Sequence, residues 1–190
     1  MNEINMSQTL KKMLTLKRYE HSISVQQTAI ELAKVYGCDC KKASIAGLLH
    51  DCAKDLKKDD LLKKCEQYGV AIDEIIKKEA QLLHGYVGVE IAKQTFEVFD
   101  QEILNAIKYH TIANENMSLL DKIIYISDFI EPGRNFDGVD IIRKFAYKDL
   151  DKAIIIGIDN TIALLLSKGK LIHPDTIKAR NSILINKRNS

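Results

Sequence analysis

The chain has 190 residues, of which 46% are hydrophobic, and a formal net charge of +2. This length fits one domain of ordinary size, and the apolar fraction is sufficient for a core without disulfides or metals as staples. Lysines alternate with acids, as in KDLKKDDLLKK, so no face of the protein is basic enough to hold a nucleic-acid backbone.

No window reaches the roughly 18 uninterrupted apolar residues of a membrane span, and the first residues lack the apolar region of a secretory signal. We therefore expect a cytoplasmic protein with no membrane partner. The four cysteines match no CxxC zinc motif and are interpreted as reduced thiols: Cys38, Cys40, Cys52 and Cys65.

Apolar residues recur at three- and four-residue steps in nearly every segment, whereas the period of two that is typical of strands is nearly absent. This pattern predicts an all-α domain. The predicted helices cover residues 22–36, about 41–53, 58–68, 72–82, 85–98, 101–112, 117–130, 137–146, 149–168 and 175–187. Gly37 is expected to end the first of them in a left-handed conformation, Asp100 to cap a later one, and Pro174 to lie in the first turn of the last.

One loop interrupts the helical period, at residues 130–138 with the sequence IEPGRNFDG. The small residues Ala46 and Gly47 would let another backbone approach the second predicted helix closely. The sequence shows no internal repeat and no shift in composition. We therefore expect residues 1–190 to form one domain.

A histidine and an aspartate stand side by side at the end of an apolar run, in AGLLHDCAKDL. Alone, the pair His50-Asp51 is weak evidence, because about 0.4 such dipeptides are expected by chance in this composition. Three further histidines, His21, His84 and His110, fall near predicted helix ends. Together with Asp128 they provide imidazoles and carboxylates, a donor set that suits borderline divalent metals.

The order of these residues resembles the metal-binding pattern of the two-metal branch of the HD-domain phosphohydrolase superfamily, over residues 18–134. Longer stretches are similar to the YqeK-type symmetrical bis(5′-nucleosyl)-tetraphosphatases over nearly the whole chain. They read RYEHSISVQQTAIELA, AGLLHDCAKDL, LLHGYVG, AIKYHT, IYISDFIEPGR and LIHPDTIKARN. Every metal-binding position of that family is filled by the expected residue type.

The resemblance implies a single all-helical HD domain, with its motifs within residues 18–134 and the C-terminal helices 137–190 packed on them. It implies the hydrolysis of diadenosine tetraphosphate to two ADP, by attack of a metal-bound hydroxide on a phosphate. Two divalent ions would be bound, with iron favoured and manganese or other transition metals accepted. One ion would be held by His21, His50, Asp51 and Asp128, and Asp51 would bridge to a second ion held by His84 and His110.

A single carboxylate can bridge two ions because it has two oxygens, whereas a neutral imidazole offers one lone pair. Nearby cations should stabilise the charge of a polyphosphate. Lys54, three residues after Asp51, is the first candidate, although a lysine at a helix C-terminus is also favoured by the helix dipole. Arg18 and Arg134 are further candidates for phosphate binding, and surface ion pairs with neighbouring glutamates are the alternative for both.

Two other functions stay open on the sequence. The chain could be an HD phosphohydrolase for another nucleotide or phosphoester, or a nucleotide-sensing module without turnover. The expected partner is a dinucleoside polyphosphate. Leu164, Leu165 and Leu166 could belong to the core or to a homodimer surface, and a homodimer is the expectation. The sequence assigns no role to Arg180 or Asn181, and His173 fits a capping or packing role better than a seventh metal ligand.

Overall fold

The computed structural model describes residues 1–188, and within that range the chain is all α-helical, as predicted, with no β-strand. The helices are α1 (Glu3–Met13), α2 (Leu16–Tyr36), α3 (Cys40–Leu49), α4 (Lys58–Gln67), α5 (Glu74–Lys78), α6 (Ala80–Phe96), α7 (Gln101–Tyr109), α8 (Leu119–Ile130), α9 (Val139–Ala146), α10 (Leu150–Ser167) and α11 (Pro174–Arg188).

Short polar side chains set most of the helix starts. An N-cap aspartate accepts hydrogen bonds from free backbone N–H groups at the start of α3, α5, α7 and α10. Ser118 and Asp121 form a reciprocal capping box on α8. Gly37 ends α2 with φ +70°, Asp100 caps α7 and Pro174 begins α11, which confirms these three predictions.

Two differences from the sequence prediction lie at the N-terminus. Helix α1 was not predicted, although Met6, Leu10 and Leu14 are buried at four-residue steps. Helix α2 begins at Leu16, six residues before the predicted start, so His21 lies inside the helix and not at its beginning. The first turns of α2 are largely exposed, and therefore they show no apolar stripe in the sequence.

Two further boundaries differ close to the histidines. Helix α3 ends at Leu49, and the chain continues in tight turns in which Cys52 N–H donates to Leu49 and Lys54 N–H to Asp51. The break predicted at residues 83–84 instead falls at Glu79, so His84 lies within α6. Glycine often ends helices, but Gly85 lies inside α6, where its missing side chain allows close packing against α7.

Helices α2, α3, α6, α7 and α8 pack on one another around the main core. Gly47 permits the contact between α3 and α2, since a Cβ there would lie 2.9 Å from Gln26 Cα, which confirms the predicted close approach. Gly85 permits the contact between α6 and α7, since its Cβ would lie 2.7 Å from the carbonyl oxygen of Lys108. These close contacts hold the five helices near one another around the residues of the candidate site.

The C-terminal helices extend this bundle. Helices α9 and α10 pack on α8, and α11 packs on α10. The predicted loop lies between α8 and α9, which end and begin at Ile130 and Val139. All four cysteines are free, as expected. No helix within residues 1–188 combines the length and hydropathy needed to cross a membrane.

Candidate metal centre

The fold brings all six predicted metal ligands into one cluster, although they lie on five separate stretches of chain. His21 comes from α2, His50 and Asp51 from the turn after α3, His84 from α6, His110 from the residue after α7, and Asp128 from the last turn of α8. Two overlapping sets of potential ligand atoms each fit within 4.8 Å: His21, His50 and Asp51, and Asp51, His84 and His110.

Asp51 belongs to both sets and lies at their centre. Its Oδ1 is 3.0 Å from His84 Nε2 and 3.3 Å from His110 Nε2. Its Oδ2 is 3.8 Å from His50 Nε2 and 4.0 Å from His21 Nε2. The two oxygens of one carboxylate therefore face two different pairs of imidazoles, which is the arrangement needed to contact two cations at once.

Asp128 joins the Oδ2 side of the cluster. Its Oδ1 is 2.9 Å from His21 Nε2 and 3.9 Å from His50 Nε2. It stands outside the two 4.8 Å sets, because it faces these histidines and not Asp51. The Oδ2 side thus has two carboxylates and two imidazoles, while the Oδ1 side has two imidazoles and the shared carboxylate.

The hydrogen bonds of the histidines leave lone pairs directed into the cluster. His50 Nδ1 is 2.8 Å from the carbonyl oxygen of Gly47, and His110 Nδ1 is 2.7 Å from that of Ile107. A carbonyl only accepts, so each Nδ1 donates and each neutral ring keeps its lone pair on Nε2. Within the described chain, His50 Nε2 and Asp51 Oδ1 are buried without a hydrogen-bond partner. Such inward-facing donors of electron pairs fit bound cations.

Burial sets the charge state of the cluster. It lowers the pKa of His50 to about 4 and the pKa of His84 to about 4, so both rings are neutral at pH 7. Burial alone would raise the pKa of Asp51 and of Asp128, but the neighbouring imidazoles and cations outweigh it and hold both pKa values below their usual range. Neutral imidazoles and ionised carboxylates are the protonation states that metal ions require.

All three predicted phosphate-binding cations lie at the cluster. Lys54 Nζ is 3.1 Å from His84 Nε2 and 3.4 Å from Asp51 Oδ1. Arg18 reaches the opposite oxygen of Asp51, with 3.7 Å between Nη1 and Oδ2. Arg134 hydrogen-bonds to the Asp128 carboxylate, and its Nε donates to the Asp128 carbonyl at 2.6 Å. The cations therefore flank the cluster on both sides.

Two cavities border the cluster. The first, which we call the apolar cavity, has a volume of about 230 Å³ and meets the cluster at Lys54, His110 and Asp128. The second, which we call the polar cavity, has a volume of about 740 Å³ and meets it at His21. Arg18 and Arg134 line the polar cavity.

Comparison with known proteins gives this site its context. Residues 18–133 match the model of the HD domain family. A protein named bis(5′-nucleosyl)-tetraphosphatase, symmetrical, from Halalkalibacterium halodurans is 39% identical over 99% of this chain and 100% of its own length. A Bacillus subtilis protein of the same name is 40% identical over 90% of this chain and 92% of its own. The chain belongs to the HD-domain family, among these symmetrical tetraphosphatases.

A solved HD-domain structure from Clostridium acetobutylicum shares the whole architecture. It is described as a "predicted HD superfamily hydrolase involved in NAD metabolism", is 44% identical, and superposes with a TM-score of 0.95 over 98% of both chains. The HD-domain match ends at residue 133, before α9, α10 and α11. The relatives named above nevertheless cover at least 90% of this chain, so the similarity extends well into those helices.

Sequence reasoning missed one residue of the HD-domain site, Glu131. It was considered only as an ion-pair partner of Arg134, to which it is 3.8 Å distant. Its Oε1 is 3.1 Å from His21 Nδ1, and its Oε2 accepts a 2.6 Å hydrogen bond from Gly133 N–H. Only 4% of its surface is exposed. A buried carboxylate behind a metal-binding histidine orients the ring and raises its basicity.

We expect the substitution Glu131→Gln to lower metal affinity by about tenfold, because supporting carboxylates of this kind contribute roughly 10- to 100-fold. Competition with a chelator of known affinity measures the change. Glu20→Gln is the matched control, since Glu20 is exposed on the same helix as His21 and lines the same cavity. Equal metal affinities for the two variants would contradict the role of Glu131.

The pKa values of the buried histidines also predict how the metal-free protein responds to acid. His50 and His84 have folded pKa values of about 4, below the ordinary 6.5, so the unfolded chain takes up protons that the folded chain refuses. Stability should therefore fall as pH drops from about 6.5 towards 4. Burial acts to lower the pKa of His21, but contact with Asp128 outweighs it and raises that pKa, which offsets part of the loss.

Between pH 7 and pH 5 we expect the free energy of unfolding of the chelator-treated protein to decrease by roughly 3 kcal/mol. Urea unfolding at the two pH values measures this change. The variant His50→Asn should show about half of the decrease, because it retains only one of the two buried histidines with a lowered pKa. Equal stability of the unsubstituted protein at both pH values would show that these rings are not held neutral.

Arg180 and Asn181, to which the sequence assigns no role, lie on α11, and His173 lies just before it. Arg180 pairs with Asp159, with 3.3 Å between Nη2 and Oδ2, and so joins α11 to α10. Asn181 is exposed on α11. His173 is buried before α11 and lies 2.7 Å from Asp73 Oδ2 through its Nε2. Its Nδ1 accepts a 3.2 Å hydrogen bond from Asp175 N–H at the start of α11, which fits the predicted capping or packing role, and it is outside both sets of potential ligand atoms.

Proposed function

We propose that this chain hydrolyses diadenosine tetraphosphate symmetrically, giving two ADP, at a two-metal centre bridged by Asp51. The observation that carries the proposal is the placement of the two Asp51 oxygens against two separate pairs of imidazoles, with two cavities bordering the cluster. The names of the tetraphosphatase relatives support the choice of substrate.

The proposed ligands of one ion are His21, His50, Asp51 and Asp128, and those of the other are Asp51, His84 and His110. When bound, such ions neutralise phosphate charge and lower the pKa of a coordinated water, so that a nucleophile is present at neutral pH. The donor set fits iron, the metal we favour, and it also fits manganese and other borderline metals.

The chain's own cations would position the substrate. Lys54 stands on the Oδ1 side of Asp51, and Arg18 stands on the Oδ2 side. A tetraphosphate lying across the cluster would therefore contact an ammonium at one end and a guanidinium at the other. Arg134 is held by Asp128 and Glu131 at the edge of the polar cavity, where its planar fork can bind phosphate oxygens. These contacts would hold the central phosphates over the cluster and stabilise the added charge of the transition state.

We propose further that residues 1–190 act as one domain and that the protein works in the cytoplasm. A homodimer is also proposed, with residues 164–166 in its interface, because Leu164 and Leu166 are 52% and 66% exposed on α10. Size-exclusion chromatography of the unsubstituted protein beside Leu166→Lys tests the interface. A monomer in both samples would contradict it.

Prolonged incubation of the metal-loaded protein with a large molar excess of diadenosine tetraphosphate tests the proposed activity. We expect many equivalents of substrate to be converted, with two ADP formed for each. ATP and AMP as products would keep a metal hydrolase but overturn symmetrical cleavage. Bound but intact nucleotide would favour the sensing module, and turnover of other nucleotides or phosphoesters alone would favour the broader phosphohydrolase.

A further inference from the structure

The apolar cavity differs in chemistry from the metal centre onto which it opens. At one end it meets Lys54, His110 and Asp128. Away from the cluster, large apolar side chains form much of its wall, among them Leu82, Ile112, Phe129, Leu165 and Leu171. Such a surface favours a flat, weakly polar group over phosphate. The cavity is therefore suited to a group of the substrate that lies next to the phosphates.

The volume of the apolar cavity limits what it can hold. At about 230 Å³ it lies below the roughly 300–1,000 Å³ typical of pockets for drug-sized ligands. It has room for one ring system and not for a dinucleotide. The polar cavity is larger, but it is lined by charged and polar side chains that include Lys17, Arg18 and Arg134, with Phe136 as its one aromatic group among the described residues.

Part of the wall of the apolar cavity comes from beyond residue 133, where the HD-domain match ends. Thr161 and Leu165 belong to α10, and Leu171 lies between α10 and α11. Two side-chain contacts hold the start of α11 against the earlier part of the domain. His173 Nε2 is 2.7 Å from Asp73 Oδ2, and Thr176 Oγ1 donates a 2.9 Å hydrogen bond to the carbonyl of Ile112.

We propose that the apolar cavity holds the base of one nucleotide half, while the polar cavity holds the far phosphates of the other half, so that the site recognises only one nucleoside. Nucleoside 5′-tetraphosphates are then substrates as well as dinucleoside tetraphosphates. This inference rests on the proposed function. For adenosine 5′-tetraphosphate, water would cleave the link between the second and third phosphates and give ADP and pyrophosphate, with the elements of water divided between the two products.

The binding experiment uses the manganese-loaded full chain and two probes, ADP and pyrophosphate. Both contact the metals and cations, but only ADP carries a base. The variant Leu165→Asp places a carboxylate in the wall of the cavity at a half-buried position of α10, and Ile141→Asp introduces the same group at an exposed position of α9 outside the cavity. We expect Leu165→Asp to weaken ADP binding by about tenfold or more and to change pyrophosphate binding by less than about twofold.

Ile141→Asp should change neither affinity. Unchanged ADP binding in Leu165→Asp, or an equal loss for both probes, would overturn the base subsite.

The turnover experiment compares diadenosine and adenosine tetraphosphate with the unsubstituted enzyme, and we expect kcat/KM values within about tenfold of each other. Cleavage of the dinucleotide alone would overturn recognition of a single nucleoside. Failure to cleave either compound would contradict the proposed function, whereas the binding comparison would still decide the base subsite.

Discussion

Replacing Asp51 by asparagine is expected to reduce turnover by more than about a hundredfold, because the loss of a group that only supports a metal ligand already costs about 10- to 100-fold. Asparagine has nearly the same size, but it has one oxygen in place of two and no negative charge. The amide can contact only one of the two imidazole pairs through oxygen, so the bridge between the two ions is lost. Rates of ADP release from diadenosine tetraphosphate measure the effect.

Asp59→Asn is the control for this substitution, because Asp59 is exposed in the first turn of α4 and lies away from the cluster. Circular dichroism of both variants establishes that they remain helical. Since the substitution removes a buried charge without creating a cavity, we expect Asp51→Asn to stay folded. Turnover near the unsubstituted rate in a folded Asp51→Asn protein would rule out Asp51 as the bridge.

The second large effect is expected from His84→Ala, which should lose one of two metal ions per chain together with most activity. His84 faces only the Oδ1 side of Asp51, so the ligands on the Oδ2 side remain complete. Mass spectrometry of the metal content after gel filtration should give a ratio near two for the unsubstituted protein and near one for the variant. His21→Ala should also give a ratio near one, through loss of the other ion.

The variant His84→Gln is the control for a packing defect, because His84 is 1% exposed and its replacement by alanine would leave a void. Glutamine restores much of the volume without the imidazole, so it should also bind one ion. A ratio near two in both His84 variants would show that His84 is no ligand. A ratio of one in the unsubstituted protein would contradict the two-metal centre itself.

The sequence predicts the clustering of the six candidate ligands better than their helical setting. The six residues were recognised from residue types in a fixed order, a signal that does not depend on where helices begin. The expectation that each histidine lies near a helix end fails for His21 and His84, because exposed first turns conceal the start of α2 and Gly85 suggests a break where the structure has close packing.

Other parts of the site leave no motif in the sequence. Glu131 lies 110 residues after the His21 whose ring it contacts, so no local pattern connects the two. An ion pair between Glu131 and Arg134, three residues later, is the simpler interpretation of the sequence. The apolar cavity is assembled from side chains of α6, α8, α10 and the segments beside them, each of which is ordinary core material in its own helix. Only the packing of the helices shows that these side chains leave a space next to the metal centre.

The organisation of the chain separates chemistry from recognition. The proposed metal ligands come from five helices or the residues that follow them, and the close contacts at Gly47 and Gly85 fix the spacing of α2, α3, α6 and α7. Helix α10 and the start of α11 add a wall beside that centre without contributing a proposed ligand. Changes in those later residues could therefore alter which nucleotide is bound and leave the hydrolytic centre intact.

Anomalous diffraction from crystals grown with manganese tests the central claim most directly, because it locates each ion without reference to activity. We predict two peaks roughly 3.5–4 Å apart with Asp51 between them, one beside His21, His50 and Asp128 and the other beside His84 and His110. A single peak, or two peaks of which one lies away from Asp51, would contradict the bridged two-metal centre.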